Sequence, residues 1–352
     1  MVGLVLVLSS QGLVAQTAPK YSNEFLAIGV GARAIGMGGA ATATTQDVTS
    51  GYWNPAGLVQ SPTRFEASLM HAQYFAGLAN YDYGAVNTKL DSNSSLAFSF
   101  IRLAVDNIPD TRFLIVADVI DYSRVRSFSS ADNAFLISYA KRNVGLKGLN
   151  VGGSAKIIYR NAGAFATAWG FGIDLGAQYR RGNWLFGAHL RDVTSTFNAW
   201  TYNTAEIADV FTRTGNTIPE ASVELTLPRL LVGAAYQYDW RKWGGLVSLD
   251  LETTTDGQRN TVASLGGISM DPRAGLELNY DKIVYARAGL NQIQQVKSLD
   301  GATKTYAMQT NFGVGFRLYK FSVDYALSNL GTSSESIYSH IFSLKFGFDK
   351  AR

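Results

Sequence analysis

Residues 166–179 read ATAWGFGIDLGAQY. Side chains alternate across an extended chain, so Trp169, Phe171, Ile173, Leu175, Ala177 and Tyr179 share one face. Gly170, Gly172, Asp174, Gly176 and Gln178 share the other. The apolar face begins and ends with a large aromatic ring. A tilted strand that crosses a bilayer has this form, with apolar side chains toward lipid and amphipathic rings at the two interfaces.

The same period of two recurs along the chain. Trp184, Phe186, Ala188 and Leu190 oppose Gly187, His189 and Arg191. Leu230, Val232, Ala234 and Tyr236 oppose Arg229, Gly233 and Gln237. Ala274, Leu276, Leu278 and Tyr280 oppose Arg273, Glu277 and Asn279. Comparable runs start near Val284, Phe312, Phe321 and His340, and another covers residues 243–254. The first half alternates less cleanly, with strands expected near 64–74, 79–90, 94–105, 132–142 and 149–160. The total is about fourteen, and bacterial outer-membrane barrels have even strand numbers.

The connections carry an independent signal. Joins from even to odd strands are short, as at Arg180–Gly182, Asp281–Lys282 and Tyr319–Lys320. The long ones run from odd to even strands: Asp106–Ala131, Thr194–Ser222, Thr255–Pro272 and Gln292–Ala307. Short periplasmic turns and long outer loops are the barrel arrangement. A soluble β-sandwich would also alternate, but on shorter strands with polar outer faces. The expected fold is therefore all-β, a transmembrane antiparallel barrel over residues 63–349 preceded by the segment 17–62.

Composition agrees. Charged residues make up 16% of the 352, against about 25% in soluble domains. There are 35 glycines and 12% aromatics, yet no apolar run of the roughly 18 residues that a membrane helix needs. The net charge of +4 is spread out and gives no reason to expect nucleic acid. Cysteine is absent, which removes disulfides and thiolate metal sites. At the start, Val2–Leu8 form a short apolar core and Leu13-Val14-Ala15 offers small-residue cleavage, so residues 1–16 are expected to be signal peptide.

Gly29–Leu58, GVGARAIGMGGAATATTQDVTSGYWNPAGL, fits a loose dinucleotide fingerprint at Gly29, Gly31 and Ala34. No strand-helix-strand unit with an acidic residue follows, so that reading fails. The segment resembles instead the N-terminal signature of the PorV/PorQ family of Bacteroidota outer-membrane proteins, which are similar to the FadL fatty-acid channel group. The resemblance rests on Ala32-Arg33, Gly36-Met37-Gly38, the small residues Ala40–Thr44, Asp47 and Asn54-Pro55-Ala56-Gly57. It departs from PorV proper in carrying Gly29-Val-Gly31 where Pro-Asp is usual.

The resemblance implies a fourteen-stranded barrel whose N-terminal segment, with a small-residue helix, folds inside as a plug. Plug residues of interest are Arg33, Gly36, Met37, Gly38, Asp47, Trp53, Asn54 and Pro55. Pro55 suits a helix start with Asn54 as its cap. The alternating pattern turns Lys156, Asp174, Arg191, Asp250, Glu252, Glu277, Arg287, Arg317 and Asp324 inward, along with His189 and Lys345. Their mixed signs favour pairing with one another and with the plug over an open ion-selective pore.

Enzymatic chemistry is not expected. The three histidines, His71, His189 and His340, lack metal-ligand spacing, and no G-x-S-x-G occurs. No cofactor is expected either. The loop after residue 106 carries Phe113, Leu114, Ile115 and Val116, which either fold over the barrel mouth or contact a protein partner or an apolar ligand. Two functions follow. By resemblance, the chain is an accessory of type IX secretion that docks a translocon or secreted clients. Alternatively, it is a FadL-like route for small hydrophobic molecules, with the plug as gate. The first requires a sealed, charge-paired lumen and an exposed apolar loop surface; the second requires an apolar pocket reaching the mouth and a gap in the wall.

Overall fold

Fourteen strands pair side by side until the last meets the first. The structure, a computed structural model, describes residues 22–349 apart from 117–118, 218–220, 266, 298–303 and 330–337. The expected signal peptide, 1–16, lies outside the described residues. The wall begins with β1 (Phe65–Tyr74), β2 (Ala79–Lys89), β3 (Ser94–Asp110), β4 (Arg126–Lys141), β5 (Leu149–Ala162) and β6 (Ala166–Arg181). β7 runs as Trp184–Arg191 and then Thr196–Tyr202, and β8 as Ser222–Thr226 and then Arg229–Trp240. The wall continues with β9 (Trp243–Thr254), β10 (Ile268–Tyr280), β11 (Val284–Lys297), β12 (Lys304–Leu318), β13 (Phe321–Asn329) and β14 (Tyr338–Phe348).

All neighbours are antiparallel, and β1 pairs with β14, Leu69 opposite Leu344, so the fourteen-stranded sheet closes. Closure leaves no unpaired edge to be satisfied by water, which hydrocarbon could not supply. The interruptions in β7 and β8 are adjacent. Asp192 and Ser195 take positive φ angles of 56° and 57°, and Leu227-Pro228 divides β8, where proline has no N–H to donate.

The outer joins are shorter than the alternation indicated, because β3 and β4 continue to Asp110 and from Arg126. Bulges explain the difference. The ladder shifts register between Val105 and Ile108, and again between Asn291 and Gln294. A bulge adds one residue and reverses the faces beyond it, so the period of two stops there although the strand does not. The Phe113–Val116 stretch leads into a small hairpin, Ile115–Val116 against Val119–Ile120, above the wall.

Outward faces are apolar: Trp169, Leu249, Val314 and Phe342 are each more than half exposed. Aromatic pairs gather at the short-turn end, where Trp184 meets Tyr236 and Trp243 meets Tyr280, both with ring centroids 5.0 Å apart. These are the girdle positions of a membrane barrel.

Candidate functional site: a plugged lumen beneath an outer cavity

Residues 22–62 fill the barrel. Ala32–Gly36 and Ser50–Trp53 form single α-helical turns, and Glu24–Ala27 and Pro55–Gln60 form 3-10 turns. The expected helix over Ala40–Thr44 is instead a run of turns, with Thr44 and Thr45 N–H both donating to the Ala41 carbonyl. A lumen this narrow is met by successive reversals, and two glycines at positive φ, Gly38 (64°) and Gly39 (72°), make one of them.

Inward glycines on the wall make room for plug backbone. A Cβ on Gly289 would stand 2.1 Å from Gly38 N, one on Gly275 2.6 Å from the Met37 carbonyl oxygen, and one on Gly152 2.6 Å from Pro55 C. Gly36 also comes close to Gly313, with a Cβ 3.1 Å from its Cα. Asn54 caps the Pro55 turn by accepting from Ala56 N–H (3.2 Å), while its Nδ2 donates to the Ala177 carbonyl of β6 (3.0 Å). Trp53 Nε1 donates to the Val30 carbonyl at 2.8 Å, which ties the two halves of the plug together.

The inward charges form several groups. Arg33 makes a two-point contact with Glu277 (2.9 and 3.0 Å); Glu277 also receives Arg287 (2.6 Å), which reaches Asp324 (2.7 Å). Asp47 pairs with Lys345. Lys156 bridges Asp174 (2.8 Å) and Asp192 (2.5 Å). Glu252 pairs with Arg273 and lies 3.6 Å from Arg229. Asp250 meets no guanidinium in this set; its Oδ2 accepts from Thr42 N–H at 2.8 Å. Arg191 is held by the Tyr52 ring, 4.5 Å from its centroid, and by the Leu26 carbonyl.

Arg317 lies outside this network. It is exposed near the end of β12, with its guanidinium 5.3 Å from the Tyr285 ring, at the short-turn mouth where water solvates it. Asp192, Arg229 and Arg273 are members that the charge pattern did not single out. Arg229 and Arg273 stand on the inward-facing phase of their strands, so the alternation carried that signal. Asp192 sits in the β7 break, where alternation fails.

The lumen is not polar throughout. Inward residues of the first strands, among them Tyr81, Ile101, Leu136 and Ile158, pack with Ile341 and with Phe25, Val30 and Ile35 of the plug. The plug divides the interior. On the long-loop side is a cavity of about 730 Å³. Ile28, Ile35, Trp53, Tyr74 and Leu103 give it an apolar side, and Glu252, Asp271, Arg273, Gln309 and Asn311 a polar one. On the short-turn side a polar vestibule of about 450 Å³ touches Arg33, Asp47, Gln60, Arg317 and Lys345. Ile35 thus faces one compartment and Arg33 the other. A third hollow of about 460 Å³, lined mainly by Phe165, Trp200, Ile207 and Phe211, lies under the helix Thr204–Arg213 at the outer ends of β5 to β8. Nearby, Arg112 links Asp110 to Glu206, holding the Phe113 hairpin against that helix. Phe113 and Ile115 are exposed and Leu114 is half-buried.

A closed antiparallel barrel stoppered by its own N-terminal segment defines a class, the plugged outer-membrane barrels. No protein-family model matches the sequence, and no curated protein sequence matches it. Solved structures do match. The P. putida toluene transporter TodX aligns with a TM-score of 0.60 at 15% identity, over 92% of this chain and 99% of that one. The CymD monoaromatic hydrocarbon channel gives 0.57 at 13% identity, over 92% and 99%. A Pseudomonas aeruginosa FadL homologue gives 0.50 at 10%, over 90% and 97%. At these identities the likeness is one of fold: the chain has the FadL-like outer-membrane barrel fold.

Proposed function

We propose that the chain is a non-enzymatic outer-membrane channel for small hydrophobic molecules, with the N-terminal plug as its gate. The observation that carries this reading is the outer cavity, whose apolar side is shared by the wall and the plug. A solute entering from the outer mouth leaves water against Tyr74 and Leu103 and comes to rest on Ile35 and Trp53 of the plug itself. Burial of apolar surface supplies the affinity, and movement of the plug is then the step that releases the solute to the vestibule. The hydrocarbon channels of like fold support the same reading. Influx of labelled toluene into cells carrying the barrel in the outer membrane tests it. Influx several-fold above cells with an empty vector is expected; equal influx ends the proposal.

The secretion-accessory reading, with a translocon or client protein as partner, rests on a different observation. The exposed Phe113 and Ile115 project from the outer hairpin, away from the cavity. Co-isolation of a type IX translocon with the wild-type barrel, lost on Phe113→Ser/Ile115→Ser, is its test.

A further inference from the structure

The polar side of the outer cavity has a particular chemistry. Its charges are already paired. Arg229 faces Glu24 (3.7 Å) and Glu252 (3.6 Å), Arg259 faces Glu24 (3.4 Å) and Asp256, and Arg273 faces Glu252 and Asp271 (4.0 Å). A carboxylate entering here would meet four acids against three bases. The neutral groups are linked in a relay: Gln309 Nε2 donates to Ser328 Oγ (2.6 Å), Ser328 Oγ donates to Asn311 Oδ1 (2.7 Å), and Asn311 Nδ2 donates to Asn291 Oδ1 (2.9 Å).

Against that satisfied background, four buried polar atoms of the lining have no hydrogen-bond partner among the described residues: Thr254 Oγ1, Asp271 Oδ1, Arg273 Nε and Gln309 Oε1. Thr254 and Gln309 are only 5% and 9% exposed. Leaving such buried groups unpaired is costly, so they define what the cavity lacks. Two are acceptors, one is a donor, and the threonine hydroxyl is both. Hydroxyl groups, which donate and accept, complement that set; a methyl group or a carboxylate does not. Across the cavity, Trp53, Tyr74 and Ile28 offer a surface suited to an aromatic ring or a short chain.

We propose that the outer cavity selects amphiphiles in which an apolar ring or short chain carries an uncharged, hydroxylated head, the chemistry of a phenyl glycoside, over plain hydrocarbons and over carboxylates. This rests on the reading of the cavity as the solute site of the channel. The cavity volume accommodates such a molecule, and its two sides place ring and head at once.

Calorimetric titration of the intact barrel in lipid nanodiscs with phenyl β-glucoside, toluene and benzoate tests the proposal. Phenyl glucoside is expected to bind at least about tenfold more tightly than either of the others. The double variant Thr254→Val/Gln309→Met should lose that preference while toluene affinity holds. Phenyl glucoside no tighter than toluene, or benzoate tightest of the three, overturns it. Heat-modifiable migration in electrophoresis verifies that the variant is folded, and if it is not, the wild-type ranking alone decides. The stated ranking without solute transfer into liposomes would end the channel reading and leave the selectivity standing; transfer without the ranking does the reverse.

Discussion

Arg33 of the plug and Glu277 of β10 meet fork to fork, with Nε and one terminal nitrogen 2.9 and 3.0 Å from the two carboxylate oxygens. Through Glu277 the plug is joined to Arg287 and Asp324 on β11 and β13, so a single plug side chain grips three strands of the wall. Two-point charge-assisted contacts are the stronger kind, and removing one partner leaves the others imperfectly paired in a buried setting.

Arg33→Ala is therefore expected to loosen the plug while the wall keeps its own Arg287–Glu277 pair. In planar bilayers the wild-type barrel should conduct little, and the variant should show openings at least several-fold more frequent. Arg33→Lys should fall between, because lysine keeps the charge but not the fork. Identical conductance in wild type and Arg33→Ala would show that this contact does not hold the plug.

Close backbone packing makes a second prediction. A Cβ on Gly38 would stand 2.7 Å from the Leu290 backbone nitrogen, and its φ is +64°. Gly38→Ala should cost about 2–4 kcal/mol, combining left-handed strain with overpacking. Gly182, in a short turn at φ +59° with nothing within 4 Å of a Cβ, isolates the strain alone, so Gly182→Ala should cost only about 1 kcal/mol. Reversible urea unfolding in lipid vesicles measures both. Equal losses would mean that the plug does not press on the wall at Leu290.

A third prediction concerns acid. In the β9–β10 join, burial raises the Asp256 carboxyl, but the hydrogen bond and charge of Arg259 more than reverse this, leaving it below the ordinary aspartate value. A carboxylate depressed in the folded state stabilises above its unfolded pKa, about 3.9, and that contribution is lost as pH falls through the folded value. Amide exchange in residues 255–265, corrected for intrinsic rates, should therefore lose protection as pH falls below about 4. Asp256→Asn should be less protected at neutral pH and lack that acid step. A step of the same size in the variant would assign it elsewhere.

The second half of the wall was legible from alternation because its two faces differ sharply: Phe312 and Val314 lie in lipid, whereas Asn311 and Gly313 face the plug. The first half was blurred for a physical reason. Tyr81, Ile101 and Leu136 are inward but apolar, since they pack on Phe25, Val30 and Ile35, so both faces of those strands are greasy and the period of two loses contrast. The same apolar inner side continues outward to Tyr74, Ala79, Leu103 and Val105, which line the outer cavity, and alternation does not distinguish it from the lipid face. The inward glycines were visible, but only the plug backbone lying against Gly152, Gly275 and Gly289 explains them. Asp192 sits in a break where alternation fails, and Arg317 has the inward phase but stands one residue from the strand end, where it is exposed.

The chain has no cysteine, so single introduced thiols can be spin-labelled one at a time through Ser339–Leu344 of β14. Collision rates with oxygen, which concentrates in lipid, and with a water-soluble nickel complex give the most direct test of the membrane-spanning, plugged barrel. Oxygen collisions should peak at His340, Phe342 and Leu344 and fall at Ser339, Ile341 and Ser343, with the nickel complex excluded from the latter three by the plug. Uniform access of the nickel complex to all six positions would contradict the account.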